Sequence, residues 1–252
     1  MLNIVLPIAG RGSRFSSAGY LPPKPMIPVH GVPMIGVVAD NVRPAGPHRF
    51  IFLALQEHLE QWPMAETLRQ AAPGCTIVPV NTVTQGAACT VLLARDYIDN
   101  DQPLMLANSD QWVDVDINDY LAGMDRAGAD GLIMTMTADD PKWSFVGLDP
   151  NQLVTRVVEK QVISTEATVG IYNFRHGRDF VRAADQMIAK DLRVNNEFYV
   201  APVYNELIQE GARVAIHNVG SEGRGMHGLG IPQDLESFLA DPVSRRAVAR
   251  AA

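Results

Sequence analysis

The sequence predicts an α/β protein: a three-layer sandwich around a mostly parallel sheet that becomes mixed in its C-terminal half. Three observations carry that prediction. Short apolar runs without polar alternation, such as Ile4-Val5-Leu6 and Phe50-Ile51-Phe52-Leu53, read as strands covered on both faces. Segments of helical length separate those runs, and a parallel strand pair needs such a crossover. Past Asp114 the pattern changes: two runs flank the turn residues Asp149-Pro150-Asn151, as in an antiparallel hairpin.

In order along the chain, Asn3–Pro7 is predicted as a buried strand and Met34–Val42 as a short helix. Arg49–Leu55 is a second strand. Gln56–Ala71 is helical with a break at Pro63, which lacks an N–H donor. Thr76–Val80 is a strand, Gly86–Tyr97 a helix and Pro103–Ala107 a fourth strand. In the second half, Asn118–Arg126 is a helix and Gly131–Thr137 a strand. Trp143–Leu148 and Leu153–Glu159 pair, and Ala167–Phe174 is a further strand. Gly177–Lys190 and Tyr199–Glu210 are helices, Arg213–His217 is a late strand, and Pro232–Ala240 begins a final helix. No Ser- or Gly-rich linker interrupts the chain. Residues 1–252 therefore read as one domain with two lobes, about 1–113 and 114–240. The tail, 241–252, either packs as a helix or frays.

Bulk properties exclude several classes. The net charge is −7 over 252 residues, so a nucleic-acid surface is not expected and any phosphate must be met by local cations. Two cysteines, Cys75 and Cys89, make neither a disulfide framework nor a metal cluster, and Cys89 reads as a buried small hydrophobe. The first residues lack a basic, long apolar leader and no run has the length of a membrane span. The expectation is a cytoplasmic enzyme.

The chemistry concentrates after the first strand, in Ala9-Gly10-Arg11-Gly12-Ser13-Arg14 and then Pro23-Lys24-Pro25-Met26. Glycines let backbone N–H groups approach anionic oxygens, and guanidinium and ammonium groups neutralise them. The loop does not complete a dinucleotide fingerprint, because Phe15 stands where the third glycine is required, and no Gly-Lys-Ser/Thr makes it a Walker loop.

This segment resembles the signature loop of the sugar-1-phosphate nucleotidyltransferases, which reads G-x-G-S/T-R followed by P-K-P/Q-M. The resemblance extends from Leu2 to about Phe238 and implies a Rossmann-like, glycosyltransferase-A-like fold. It also implies an Mg²⁺-dependent enzyme that joins a nucleoside triphosphate to a sugar 1-phosphate, releasing pyrophosphate, for surface polysaccharide or glycoconjugate synthesis. Residues 1–113 would bind the nucleotide and 114–240 the acceptor. Ala9, Gly10, Arg11, Gly12 and Ser13 would cradle the triphosphate. Arg14 would stabilise the leaving pyrophosphate, and Lys24 would neutralise the α-phosphate.

Further positions match in the same way. Asp110 follows an apolar strand end, where open α/β sheets bind ligands, and either holds Mg²⁺ or caps the next turn. The resemblance assigns it to the metal. Thr84-Gln85-Gly86-Ala87 stands where the family meets the nucleobase, and equally reads as a helix start. Glu159-Lys160 matches an E-K pair whose lysine reaches the acceptor phosphate. Gly170 matches the glycine behind the sugar. Trp143-Ser144 occupies the position of a common Tyr-Gly, and Glu197 that of a sugar-hydroxyl carboxylate or a first-turn helix Glu.

The chain departs from the family pattern near its end. Gly228 stands at the Asp of D-x-G-T-P, which is a second metal ligand, with His227 and Glu222 as weak substitutes nearby. Gly220–Gly230 is expected as a mobile loop over the substrate. Three rival readings remain open. One is a cytidylyltransferase acting on phosphocholine or a phosphonate. Another is a glycosyltransferase using Asp114-x-Asp116, although those acids read first as solvated or capping. The third is a sensor that binds sugar nucleotides without turnover. The base, the sugar and the oligomeric state, a homo-oligomer included, are left open.

Overall fold

The computed structural model describes residues 1–251. β1 (Leu2–Ile8) leads into a short helix, α1 (Ser13–Ser17), and a 3₁₀ turn at Lys24–Met26. A small hairpin, β2 (Pro28–Val29) and β3 (Val32–Pro33), precedes α2 (Met34–Asn41) and β4 (His48–Leu55). The expected break at Pro63 divides α3 (Gln56–Gln61) from α4 (Met64–Ala71), followed by β5 (Thr76–Val80). The helix expected over Gly86–Tyr97 is divided too, into α5 (Ala87–Leu92) and α6 (Arg95–Ile98). Then come β6 (Leu104–Ala107), β7 (Gln111–Val113), α7 (Ile117–Arg126) and β8 (Gly131–Thr137). β9 (Ser144–Leu148) and β10 (Val154–Glu159) form the expected hairpin. β11 (Glu166–Phe174) and α8 (Gly177–Ala189) follow. The segment expected as a helix over Tyr199–Glu210 starts as a 3₁₀ turn at Ala201–Val203, where Pro202 offers no N–H, and continues as α9 (Tyr204–Gln209). The chain ends in β12 (Val214–Glu222), β13 (Gly225–Gly228), α10 (Pro232–Ala240) and α11 (Val243–Ala251). The tail is thus helical from Val243 to Ala251, and Ala252 lies outside the described residues.

One eleven-stranded sheet runs in the order β5-β4-β1-β6-β11-β8-β12-β13-β7, with β9 and β10 joined through β11. β5, β4, β1 and β6 are parallel, and β11 turns antiparallel against β6 and β8. Strand alternation divides the core into two layers. Ile4, Leu6 and Ile8 of β1 face the cluster completed by α2, α4, α7, α10 and α11. Val5, with Ile51 and Leu53 of β4, faces α5, α6, α8 and α9. Each such fully buried aliphatic side chain contributes roughly 1.5–3 kcal/mol.

Two expectations are corrected. Gly220–Gly230 is not an open loop: β12 continues through it to Glu222, and β13 pairs with both β12 and β7. Pairing across the sheet overrides the weak strand propensity of Asn218, Gly220 and Ser221. Cys89 is only half-buried, at the edge of the second cluster.

Candidate active site

The turn after β1 is shaped by Gly12, whose φ of 62° is left-handed and starts α1. A Cβ at Gly12 would stand 3.3 Å from the Lys24 Cβ, so glycine lets this turn close on the lysine. Pro23 and Pro25 hold the 3₁₀ turn that carries Lys24. Gly10, Arg11, Ser13 and Arg14 are exposed around it, and Ala9 is buried at the strand end.

Asp110 lies between β6 and β7, just past the C-terminal end of a buried strand. Backbone bonds fix its segment. The Leu229 N–H donates to the Asp110 carbonyl at 2.7 Å, and two residues earlier the Asn108 N–H donates to the Gly170 carbonyl at 2.8 Å. Lys24 Nζ donates to Asp110 Oδ2 at 2.8 Å, with both side chains partly exposed. Residues distant in the chain thus meet as an ion pair.

Asp110 of this pair lines a cleft of about 540 Å³, a volume suited to a small ligand, and Lys24 stands behind it. Arg14, Asp110, Gly228 and Asp234 line it together with Trp143, Ser144, Glu159, Lys160, Gly170 and Tyr199. Ser144 Oγ donates to Glu159 Oε2, and Glu159 is 8% exposed. Burial pushes the Glu159 carboxyl above its ordinary pKa, against the Ser144 hydrogen bond and the Lys160 charge. Lys160 donates to the Tyr199 hydroxyl at 2.9 Å, which holds its pKa up. Lys160 also adopts a left-handed φ of 55°, and its N–H donates to the Trp143 carbonyl at 3.0 Å. A non-glycine residue in that region costs of order 1 kcal/mol, and such strain gathers at functional sites.

Several expected residues are not brought to this cleft. Of Thr84, Gln85, Gly86 and Ala87, only Ala87 lines it. Thr84 Oγ1 donates to the Gly86 carbonyl at 2.8 Å, and Gln85 is exposed. Gly86 serves the packing of the backbone: its φ is 128°, and a Cβ there would stand 2.5 Å from the Phe198 backbone N and O. Phe198 N–H donates to the Gln85 carbonyl, and the Ala88 N–H to the Phe198 carbonyl, which ties this segment to the turn holding Glu197. Glu197 itself is exposed, outside the cleft lining, and lies in that turn rather than in a helix. Asp114 pairs with Arg246 at 2.8 Å, and Asp116 caps α7 by accepting from the Asn118 N–H. The two acids of the D-x-D therefore serve an ion pair and a helix cap. His227 is buried beside Trp112 and Phe238, because β13 alternation turns it away from the face of Met226 and Gly228, and desolvation lowers its pKa. Glu222 pairs with Lys142 at 3.1 Å.

The cleft also contains residues that sequence reasoning missed: Asn108, Lys142, Tyr199 and Asp234. Asp234 had one legible signal, an acid in the first turn of the helix that starts at Pro232. Among the described residues no three His, Cys, Asp or Glu side chains converge into a ready metal cluster. The oxygen donors present are carboxylates, which suit Mg²⁺ with substrate phosphates completing its shell. Glycine at 230 leaves room for them: a Cβ there would stand 3.0 Å from Asp110 Oδ2.

Comparison with known proteins agrees with this architecture. The family model described as nucleotidyl transferase matches residues 3–201. The bifunctional protein GlmU of Burkholderia orbicola (strain MC0-3) is 27% identical over 257 residues, covering 99% of this chain and 53% of its own. The chain spans about half the length, or less, of the curated relatives it matches. A nucleoside-diphosphate-sugar pyrophosphorylase from Vibrio cholerae RC9 superposes with a TM-score of 0.78 at 26% identity, covering 96% of this chain and 100% of that one. An inositol-1-phosphate CTP transferase from T. maritima superposes with a TM-score of 0.75, over 99% of this chain and 95% of that one. At 12% identity the second likeness is one of fold.

Proposed function

This chain belongs to the nucleotidyl transferase family, and on that premise we propose that it joins a nucleoside triphosphate to a sugar 1-phosphate or a similar small phosphate, releasing pyrophosphate. The observation that carries this reading is that Asp110, paired with Lys24, lines one cleft together with Arg14, Glu159, Lys160 and Trp143. Cations for a triphosphate and a wall for a second substrate share one space. The description of the Vibrio cholerae neighbour supports the same chemistry.

In the proposed reaction an acceptor phosphate oxygen attacks the α-phosphorus. The bond from that phosphorus to the bridging oxygen breaks, and pyrophosphate leaves with the electron pair. The attacking oxygen is already anionic, so no strong base is needed and catalysis rests on positioning and charge. Backbone N–H groups of Gly10–Ser13 receive the phosphates, Arg14 meets the leaving pyrophosphate, and Lys24 meets the α-phosphate. Lys160, oriented by Tyr199, holds the attacking phosphate, while Glu159 accepts from acceptor hydroxyls beside Trp143. Asp110 would hold Mg²⁺, which when bound neutralises phosphate charge. Residues 1–113 serve the nucleotide and 114–240 the acceptor, and the product would feed surface polysaccharide or glycoconjugate synthesis.

One observation favours a second acceptor class. Trp143, Tyr172, Tyr199 and the buried Glu159 all line the cleft, and aromatic faces with a carboxylate suit a small cationic phosphate such as phosphocholine. Pyrophosphate release, measured over five nucleoside triphosphates against sugar 1-phosphates, phosphocholine and phosphonates, tests both readings. Release in one combination, lost in Asp110→Ala, supports transfer and identifies the acceptor. Nucleotide binding with no release in any combination would overturn it.

A further inference from the structure

Gly228 and Gly230 flank Leu229 at the end of β13, and both line the cleft. A Cβ at Gly228 would stand 3.1 Å from Asp234 Oδ2, and a Cβ at Gly230 would stand 3.0 Å from Asp110 Oδ2. Such contacts are tighter than ordinary side-chain packing. Two carboxylates from different elements therefore close on one three-residue segment, and its glycines leave them the space. Asp110 comes from the strand end after β6, and Asp234 from the first turn of α10.

Two acids facing one segment repel unless a cation lies among them. Lys24 already holds an ammonium on Asp110 at 2.8 Å. Asp234 lies in the fields of Lys142 and Arg14 on one side and of Glu222 and Asp110 on the other. A divalent cation with several oxygen ligands meets that arrangement better than a single carboxylate does. A side chain at position 228 would need the space that the Asp234 carboxylate occupies, so the carboxylate missing from position 228 has a geometric replacement.

We propose that Asp234 is the second protein carboxylate for the divalent cation, acting with Asp110 across the Gly228–Gly230 segment. This rests on the nucleotidyl-transfer reading and on its metal requirement. α10 brings the group from outside the strand, and the glycines are the complement that makes room.

The test is titration of Mn²⁺ alone into the full chain, followed by the loss of the free-ion paramagnetic resonance signal. Asp110→Asn and the isosteric Asp234→Asn should each weaken Mn²⁺ binding by at least the roughly tenfold that losing even an outer partner costs. Asp234→Ala combined with Gly228→Asp should recover most of that loss, because the carboxylate returns from the other backbone. A merely structural Asp234 would not permit such rescue. Thermal melting of each variant checks that it is folded. Wild-type Mn²⁺ affinity in a folded Asp234→Asn, beside a loss in Asp110→Asn, overturns the proposal and leaves the transfer reading intact. Pyrophosphate release undiminished by chelation, with no Mn²⁺ bound by the wild type, overturns the proposal together with the metal requirement, while transfer itself survives.

Discussion

The two ends of the proposed site are built on opposite plans. The end proposed for phosphate is local in sequence: Gly10 to Lys24 form one exposed turn and one 3₁₀ turn held against each other by Gly12, and Arg14 carries it into the cleft. The end proposed for the acceptor is assembled from separate elements, with Ser144 on β9, Glu159 on β10, Gly170 on β11 and Tyr199 ahead of the Ala201–Val203 turn. Its polar groups are buried or paired: Ser144 on Glu159, Lys160 on Tyr199. Phosphate is recognised by charge and backbone N–H groups, which a short exposed loop can supply. A small hydroxylated or cationic acceptor is recognised by shape, which needs a packed wall.

Substitutions at each end should separate these plans. The largest effect is expected at Lys24. Replacing it by Ala should lower kcat by roughly 10²–10³, as losing one preorganised charge does. The pair is partly exposed, so its loss should cost stability about 1 kcal/mol or less. A calorimetric melt near the wild-type temperature beside the activity loss fits the charge-based plan; an active Lys24→Ala enzyme breaks it.

Next comes the joint between the ends. Gly86→Ala forces a methyl against the Phe198 backbone at a left-handed φ, at a cost of about 2–3 kcal/mol. The melting temperature should fall by roughly 5 °C or more, and the KM values for both substrates should rise together. A variant that melts like the wild type would mean that the Gln85–Phe198 tie does not hold the two ends in register.

Lys160→Ala sharpens the contrast further. Loss of a charge-assisted contact should raise the acceptor KM by roughly tenfold or more and leave the nucleotide KM unchanged. Equal rises in both constants would move Lys160 to the triphosphate.

The smallest effect concerns Glu159. Burial raises its pKa in the folded chain, so the folded state favours the protonated form. That contribution is fully present below the unfolded glutamate pKa and is lost as pH rises through the raised value. Glu159→Gln should therefore melt higher than the wild type near pH 7, by roughly 2 °C, and the gap should close toward about pH 4. A lower melting temperature at pH 7 would mean that the ionised carboxylate stabilises the fold.

Legibility in the sequence followed the range of the forces involved. β1, β4 and β5 were readable because their apolar runs report burial directly, and the hairpin of β9 and β10 because Asp149-Pro150-Asn151 marks its turn. α1, β7 and β13 were missed: they are short and their pairing partners lie far along the chain. The Gly10–Arg14 turn was legible as a motif. Tyr199 and Asn108 were not, although Glu197 and Asp110 two residues away were singled out, since packing across elements decides which side chains of a turn reach the cleft. Glu197, Thr84 and Gln85 matched a pattern by position; they lie outside the cleft lining, where backbone bonds through Phe198 tie their two segments together.

By itself, then, the chain determined what short-range physics can encode: which runs are buried on both faces, where turns fall, and which loop gathers glycines and cations. Only the tertiary structure decided that Lys24 meets Asp110, that Glu159 is buried behind Ser144, and that Asp234 fills the space left at Gly228. Those contacts join elements brought together by burial of the two apolar layers, and a carboxylate's neighbours across a sheet leave no trace in its flanking residues.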